Sequence, residues 1–165
     1  MRRLWPLCLT AMMGVVLAAS KEALAFLPNF ELVSLCVILF TLVFRRWVAG
    51  ALAVFLLLEG LLYGFGLWWL MYLYVWPLLA LLAWLFRWMD TSWQWAALSG
   101  LFGLLFGSLC ALVYLPMGGP KMALAWALAG LPFDAVHAGG NFLLALTLYR
   151  PLRRALDRLE RTIHI

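Results

Sequence analysis

Six long apolar runs decide what this chain can become: Leu4–Phe26, Leu32–Phe44, Trp47–Tyr63, Leu67–Phe86, Trp95–Leu115 and Met122–Tyr149. About 20 apolar residues of helix reach across the hydrocarbon core of a bilayer. Only helices and closed barrels satisfy their backbone groups there. The runs lack the two-residue alternation of barrel strands, so they predict helices. The breaks between them are short: Leu27–Glu31 with Pro28, Arg45–Arg46, Gly64–Gly66, Arg87–Gln94 and Pro116–Lys121. The expected fold is all-α, a polytopic six-helix transmembrane bundle forming one domain over residues 1–165, with a basic tail at 150–165. The second run is short for a straight span, so neighbouring loop residues are expected to extend it, or it lies partly within the bundle.

Composition agrees. The chain is 67% hydrophobic and 12% charged, whereas a soluble domain is roughly half apolar and a quarter charged. A globule of 165 residues cannot hide that excess inside.

The net charge of +5 raises nucleic acid as a partner, but the positions of the charges argue against it. Arg2, Arg3, Arg45, Arg46, Arg87 and the tail arginines Arg150, Arg153, Arg154, Arg158 and Arg161 lie at the edges of apolar runs. That is a record of membrane orientation, not a phosphate-binding face. With both termini cytoplasmic, all Lys and Arg residues except Lys21 and Lys121 fall on the inner side, as the positive-inside rule requires. Arg2–Arg3, the first apolar run and Ala23-Leu24-Ala25 also fit a cleavable signal peptide. A retained first helix is the expectation, because a bundle needs its helices for packing. Cys8, Cys36 and Cys110 fall in spans and read as buried free thiols. Gly60-x-x-x-Gly64 and Gly103-x-x-x-Gly107 read as sites of close helix approach.

Ionisable groups in apolar spans are costly and therefore mark candidate sites. Lys21, Glu22, Glu31, Glu59, Lys121 and Asp134 all map near the outer face, and Asp134, His137 and Asn141 share one helical face. Together they predict a polar cup that opens outward; the competing reading is mutual pairing within the bundle. Most of the ten tryptophans form an ordinary interfacial belt, with Trp5, Trp47, Trp84, Trp88, Trp93 and Trp95 at the inner side. Trp76 differs, lying roughly 13 Å along the fourth helix at 1.5 Å per residue. It shares a face with Trp69 and Tyr72, a stripe that could stack a flat ring or simply pack the core. The candidate substrate-binding set is therefore Glu59, Trp69, Tyr72, Trp76, Lys121, Asp134, His137 and Asn141.

Enzymatic readings find little support. Ala97-Leu98-Ser99-Gly100 and His137-Ala138-Gly139-Gly140 are similar to the serine and histidine segments of rhomboid intramembrane proteases, but Ala97 replaces the opening glycine. Run boundaries also separate Ser99 from His137 by roughly 20 Å of depth, beyond hydrogen-bond reach. One His in a span plus His164 is too little for a metal site. No Walker A motif is present, so ATP energy would have to come from a partner.

In length, span number and orientation the chain resembles the substrate-binding (S) component of energy-coupling-factor (ECF) transporters, importers of vitamins and other micronutrients. The stretches that carry the resemblance are Phe26-Leu27-Pro28-Asn29-Phe30-Glu31, the segment Gly130 to Asn141, and Tyr149-Arg150-Pro151-Leu152-Arg153-Arg154. It implies a bacterial plasma-membrane protein without enzymatic activity or cofactor that binds a small micronutrient from outside. It further implies docking on a transmembrane coupling subunit driven by two cytoplasmic ATPases. The family's Ala-x-x-x-Ala docking motif has loose counterparts in Gly14-x-x-x-Ala18 and Ala19-x-x-x-Ala23. A membrane-embedded enzyme of rhomboid type and a non-transporting membrane scaffold are the alternatives.

Overall fold

The computed structural model describes residues 4–24 and 26–163. Expectations that rest on Arg2, Arg3, Ala25 or His164, the cleavage site included, lie outside the described residues. Within them every regular element is helical: α1 (Trp5–Glu22), α2 (Val33–Val43), α3 (Val48–Tyr63), α4 (Leu67–Leu85), α5 (Ser92–Cys110) and α6 (Leu115–Ile163). Short 3-10 turns at Arg45–Trp47 and Ala111–Tyr114 join α2 to α3 and α5 to α6.

Local sequence sets most boundaries. Pro6 opens α1, where its missing N–H is not needed. Thr91 and Gln94 form a reciprocal capping box that starts α5 at Ser92, one turn before its apolar run. Gly64, at φ +85°, ends α3, so Gly60 and Gly64 do not form a helix-packing pair. Gly60 instead makes room for the Phe65 ring just beyond the turn. The expected break at Pro116–Lys121 is reduced to one residue, Gly119 at φ +71°, after which α6 runs unbroken to Ile163. The basic tail is thus a helical continuation of the last apolar run.

Three helical stretches are long and apolar enough to cross a membrane: Arg45–Tyr63, Leu67–Leu85 and the continuous Ser92–Ile163, which contains both α5 and α6. Val33–Val43 is a shorter apolar helix, matching the expected shortness of the second run. Leu61, Leu62, Leu73, Leu81, Leu101 and Leu128 point outward from the bundle. So broad an apolar exterior suits a helical protein whose solvent is lipid.

Glycines bring α5 and α6 together. A Cβ on Gly103 would lie 3.0 Å from the His137 carbonyl, and one on Gly107 would lie 2.5 Å from Asp134 Oδ2. Gly14 does the same for α1 against α3, where a Cβ would come within 2.5 Å of Val54. This corrects one expectation: Gly14 and Ala18 are buried inside the bundle and leave no face for a partner, whereas Ala19 and Ala23 are exposed. Trp95 does not face outward as a belt residue would; it is fully buried, donates to the Met89 carbonyl and stacks on Tyr149. Among the cysteines, all free, Cys110 is buried, Cys36 half-buried and Cys8 exposed.

The ends of the bundle differ in charge. Arg45, Arg46, Arg87, Arg150 and Arg154 are exposed at one end, where Arg45 and Arg87 flank the Trp84 ring at 5.1 and 5.2 Å. Asp90, Asp157 and Glu160 lie among these arginines, whereas Glu22, Glu31, Glu59 and Asp134 gather in the other half with Lys21 and His137.

Candidate functional site

The α1–α2 connection and the inner faces of α4, α5 and α6 enclose a cavity of about 300 Å³. Its polar wall carries Lys21, Glu22, Glu31, Asp134 and His137; its aromatic wall carries Phe30, Tyr72, Trp76 and Phe106. Larger hollows of about 500 and 480 Å³ open at the basic end among exposed arginines. They offer the orientation charges already described, whereas the 300 Å³ cavity joins buried Trp76 and half-buried rings to the buried Asp134 and His137.

All of these polar groups except the exposed Glu22 have an identifiable anchor. Lys21, at the end of α1, pairs with Glu59, which lies on α3 and is 0% exposed. The Lys21 ammonium also sits 4.5 Å from the Tyr63 ring centre and 5.7 and 5.8 Å from those of Trp68 and Tyr72. Glu31 accepts from the Ser34 amide at 2.8 Å, satisfying a donor at the start of α2 where the helix dipole favours an anion. Its other oxygen lies 3.2 Å from His137 Nε2. Asn141, one turn further along α6, donates to Ser34 Oγ at 3.1 Å. A polar chain therefore runs from α6 through Ser34 to Glu31 and back to His137.

Asp134 accepts from the Gly107 amide at 3.0 Å through Oδ1, but Oδ2 is buried without a partner. The indole Nε1 of Trp76 is in the same condition. A buried polar atom without a partner carries a penalty of about 1–3 kcal/mol; among the atoms in this condition, these two belong to residues that line the cavity. On its other side Asp134 borders an apolar hollow of about 330 Å³ lined by Phe106, Cys110, Trp126 and Phe133.

Of the residues singled out from the sequence, Tyr72, Trp76, Asp134 and His137 line the cavity. Glu59 and Asn141 stand behind it, holding Lys21 and Ser34. Two do not reach it. Lys121 is exposed at the start of α6, roughly 20 Å along the helix from Asp134 at 1.5 Å per residue. Because α6 continues unbroken, the lysine belongs to the tip of the α5–α6 hairpin, not to the cavity's depth. Trp69 is turned toward α3, where its indole donates to the Leu56 carbonyl at 2.8 Å. The aromatic stripe is instead Trp68, Tyr72 and Trp76, spaced four apart, with ring centres 5.4 and 5.5 Å from one another in edge-on contact. Lys21, Glu31 and Phe30 are contributors that the candidate set omitted; Lys21 and Glu31 carried the signal, as charges flanking apolar runs.

The depth argument against a serine–histidine dyad also changes. Gly103 packs on the His137 backbone, so Ser99 lies only about one turn, roughly 5.4 Å, below that level. What separates the two groups is partner choice and burial. His137 Nε2 faces Glu31, and the Ser99 hydroxyl is buried without any partner and does not line the cavity. Among the described residues no three His, Cys, Asp or Glu side chains form a metal-ligating group.

Comparison of the chain with protein-family models, with curated proteins and with solved structures finds no match.

Proposed function

We propose that this protein is a substrate-binding membrane subunit of an ECF-type importer, without enzymatic activity of its own. In this reading six helices span a bacterial plasma membrane with both termini inside. The cavity faces outward and takes a vitamin or similar micronutrient. Delivery then requires a transmembrane coupling subunit and two cytoplasmic ATPases. The observation that carries the reading is the cavity itself: a ring-lined hollow with a buried indole N–H and a buried carboxylate oxygen that nothing in the described chain satisfies. Ligand sites have this character, being mostly apolar with a few convergent polar groups. The exposed small residues Ala19 and Ala23 remain available for close helix contact with a coupling subunit.

Mass spectrometry of the purified protein should find a small molecule bound, and affinity purification should recover a membrane partner with an ATPase pair. His137→Ala and Asp134→Ala should weaken binding while the bundle stays folded. Trp76→Ala should cost about 1–3 kcal/mol of binding if the indole stacks on a ring. Unchanged affinity in all three variants would remove the site.

One observation favours the scaffold alternative: Lys21 with Glu59 and Glu31 with His137 are paired internally. That reading predicts no retained small molecule and neutral Asp134 and Trp76 substitutions.

A further inference from the structure

The charges around the cavity do not balance. Glu22, Glu31 and Asp134 line it, against one lysine that is already committed to Glu59. Apart from Lys21, the cavity's remaining basic group is His137, which is held against Glu31. An anion entering here meets an excess of carboxylates, whereas a cation is favoured by them.

The aromatic wall points the same way. Ring faces attract positive charge, and the bundle already uses them so: the Lys21 ammonium lies within 6 Å of the Tyr63, Trp68 and Tyr72 ring centres. Trp76, immediately below Tyr72, is 2% exposed and its Nε1 needs an acceptor; Asp134, 5% exposed, has an oxygen that needs a donor. At about 300 Å³ the cavity is at the small end of ligand sites. It suits one or two rings and is far too small for a corrinoid.

From these observations we infer that the site selects a small flat heteroaromatic cation that carries both a hydrogen-bond acceptor, for Trp76, and a donor, for Asp134. The inference rests on the solute-binding reading and narrows it to one class of ligand.

Three probes share one ring and differ in charge: 1-methylnicotinamide is cationic, nicotinamide neutral and nicotinate anionic at neutral pH. Calorimetric titration of the detergent-solubilised full chain should rank them in that order, with the cation ahead of the anion by more than about tenfold. Asp134→Asn and the exposed Glu22→Gln should each reduce affinity for 1-methylnicotinamide several-fold, and by clearly more than they reduce affinity for nicotinamide. Equal or tighter binding of nicotinamide or nicotinate overturns the inference while leaving solute binding intact. Failure of all three to bind at about 10 mM, a concentration that reveals even millimolar affinity, also overturns it. The solute-binding reading would then stand or fall on the co-purified small molecule.

Discussion

Lys21→Met should be the most damaging conservative change in the upper half of the bundle, because it strands a carboxylate. Glu59 is 0% exposed, its Oε1 has no hydrogen-bond partner, and Lys21 binds its Oε2. Removing one partner of a buried ion pair costs about 3–5 kcal/mol. The Lys21 side chain is 30% exposed, so solvent screens part of the interaction and the lower end, about 3 kcal/mol, applies. At roughly 2–4 °C per kcal/mol, the unfolding midpoint in detergent should fall by about 6–12 °C. Intrinsic tryptophan fluorescence reads this directly, since Trp68 adjoins the lysine. Glu59→Gln should be milder, because the lysine can still reach solvent. The combination Lys21→Met with Glu59→Leu should return to within about 1 kcal/mol of the parent, since apolar replacement of a buried pair is often neutral. A coupling energy of about 2 kcal/mol or more between the sites is the signature. If Lys21→Met melts with the parent, or the double variant is as unstable as the single, the pair does not carry the stability assigned to it.

Gly107→Ala places a methyl 2.5 Å from Asp134 Oδ2; it should destabilise the α5–α6 contact by about 1–3 kcal/mol, measurable by the same melts. Ser99→Ala should be neutral or stabilising by about 1 kcal/mol, because its hydroxyl is buried without a partner. A serine-reactive phosphonate should leave Ser99 unlabelled, and labelling there would revive the enzyme reading. In a cysteine-free background, Asn29→Cys should react with an impermeant maleimide on intact cells, and Arg158→Cys only after permeabilisation; the reverse pattern would invert the orientation.

Much of the architecture follows from composition alone. Apolar runs of bilayer length must be helices, since no other open structure satisfies the backbone in lipid. The shortness of α2 and the segregation of arginines to one end could be read from residue order. So could Tyr72, Trp76, Asp134 and His137, because a costly or deep-lying group in a span stands out against its neighbours.

What the tertiary structure alone decided is the rotation of each helix about its axis, and hence which groups meet. In a soluble helix one apolar face announces the core. Here core and lipid are equally apolar, so packing and polar pairing set the rotation instead. That is why Trp68 takes the place expected of Trp69, and why Gly14 and Ala18 turn inward while Ala19 stays outside. It is also why Lys21 finds Glu59 and Glu31 finds His137. These partners lie on different helices, and no local pattern in the chain links them.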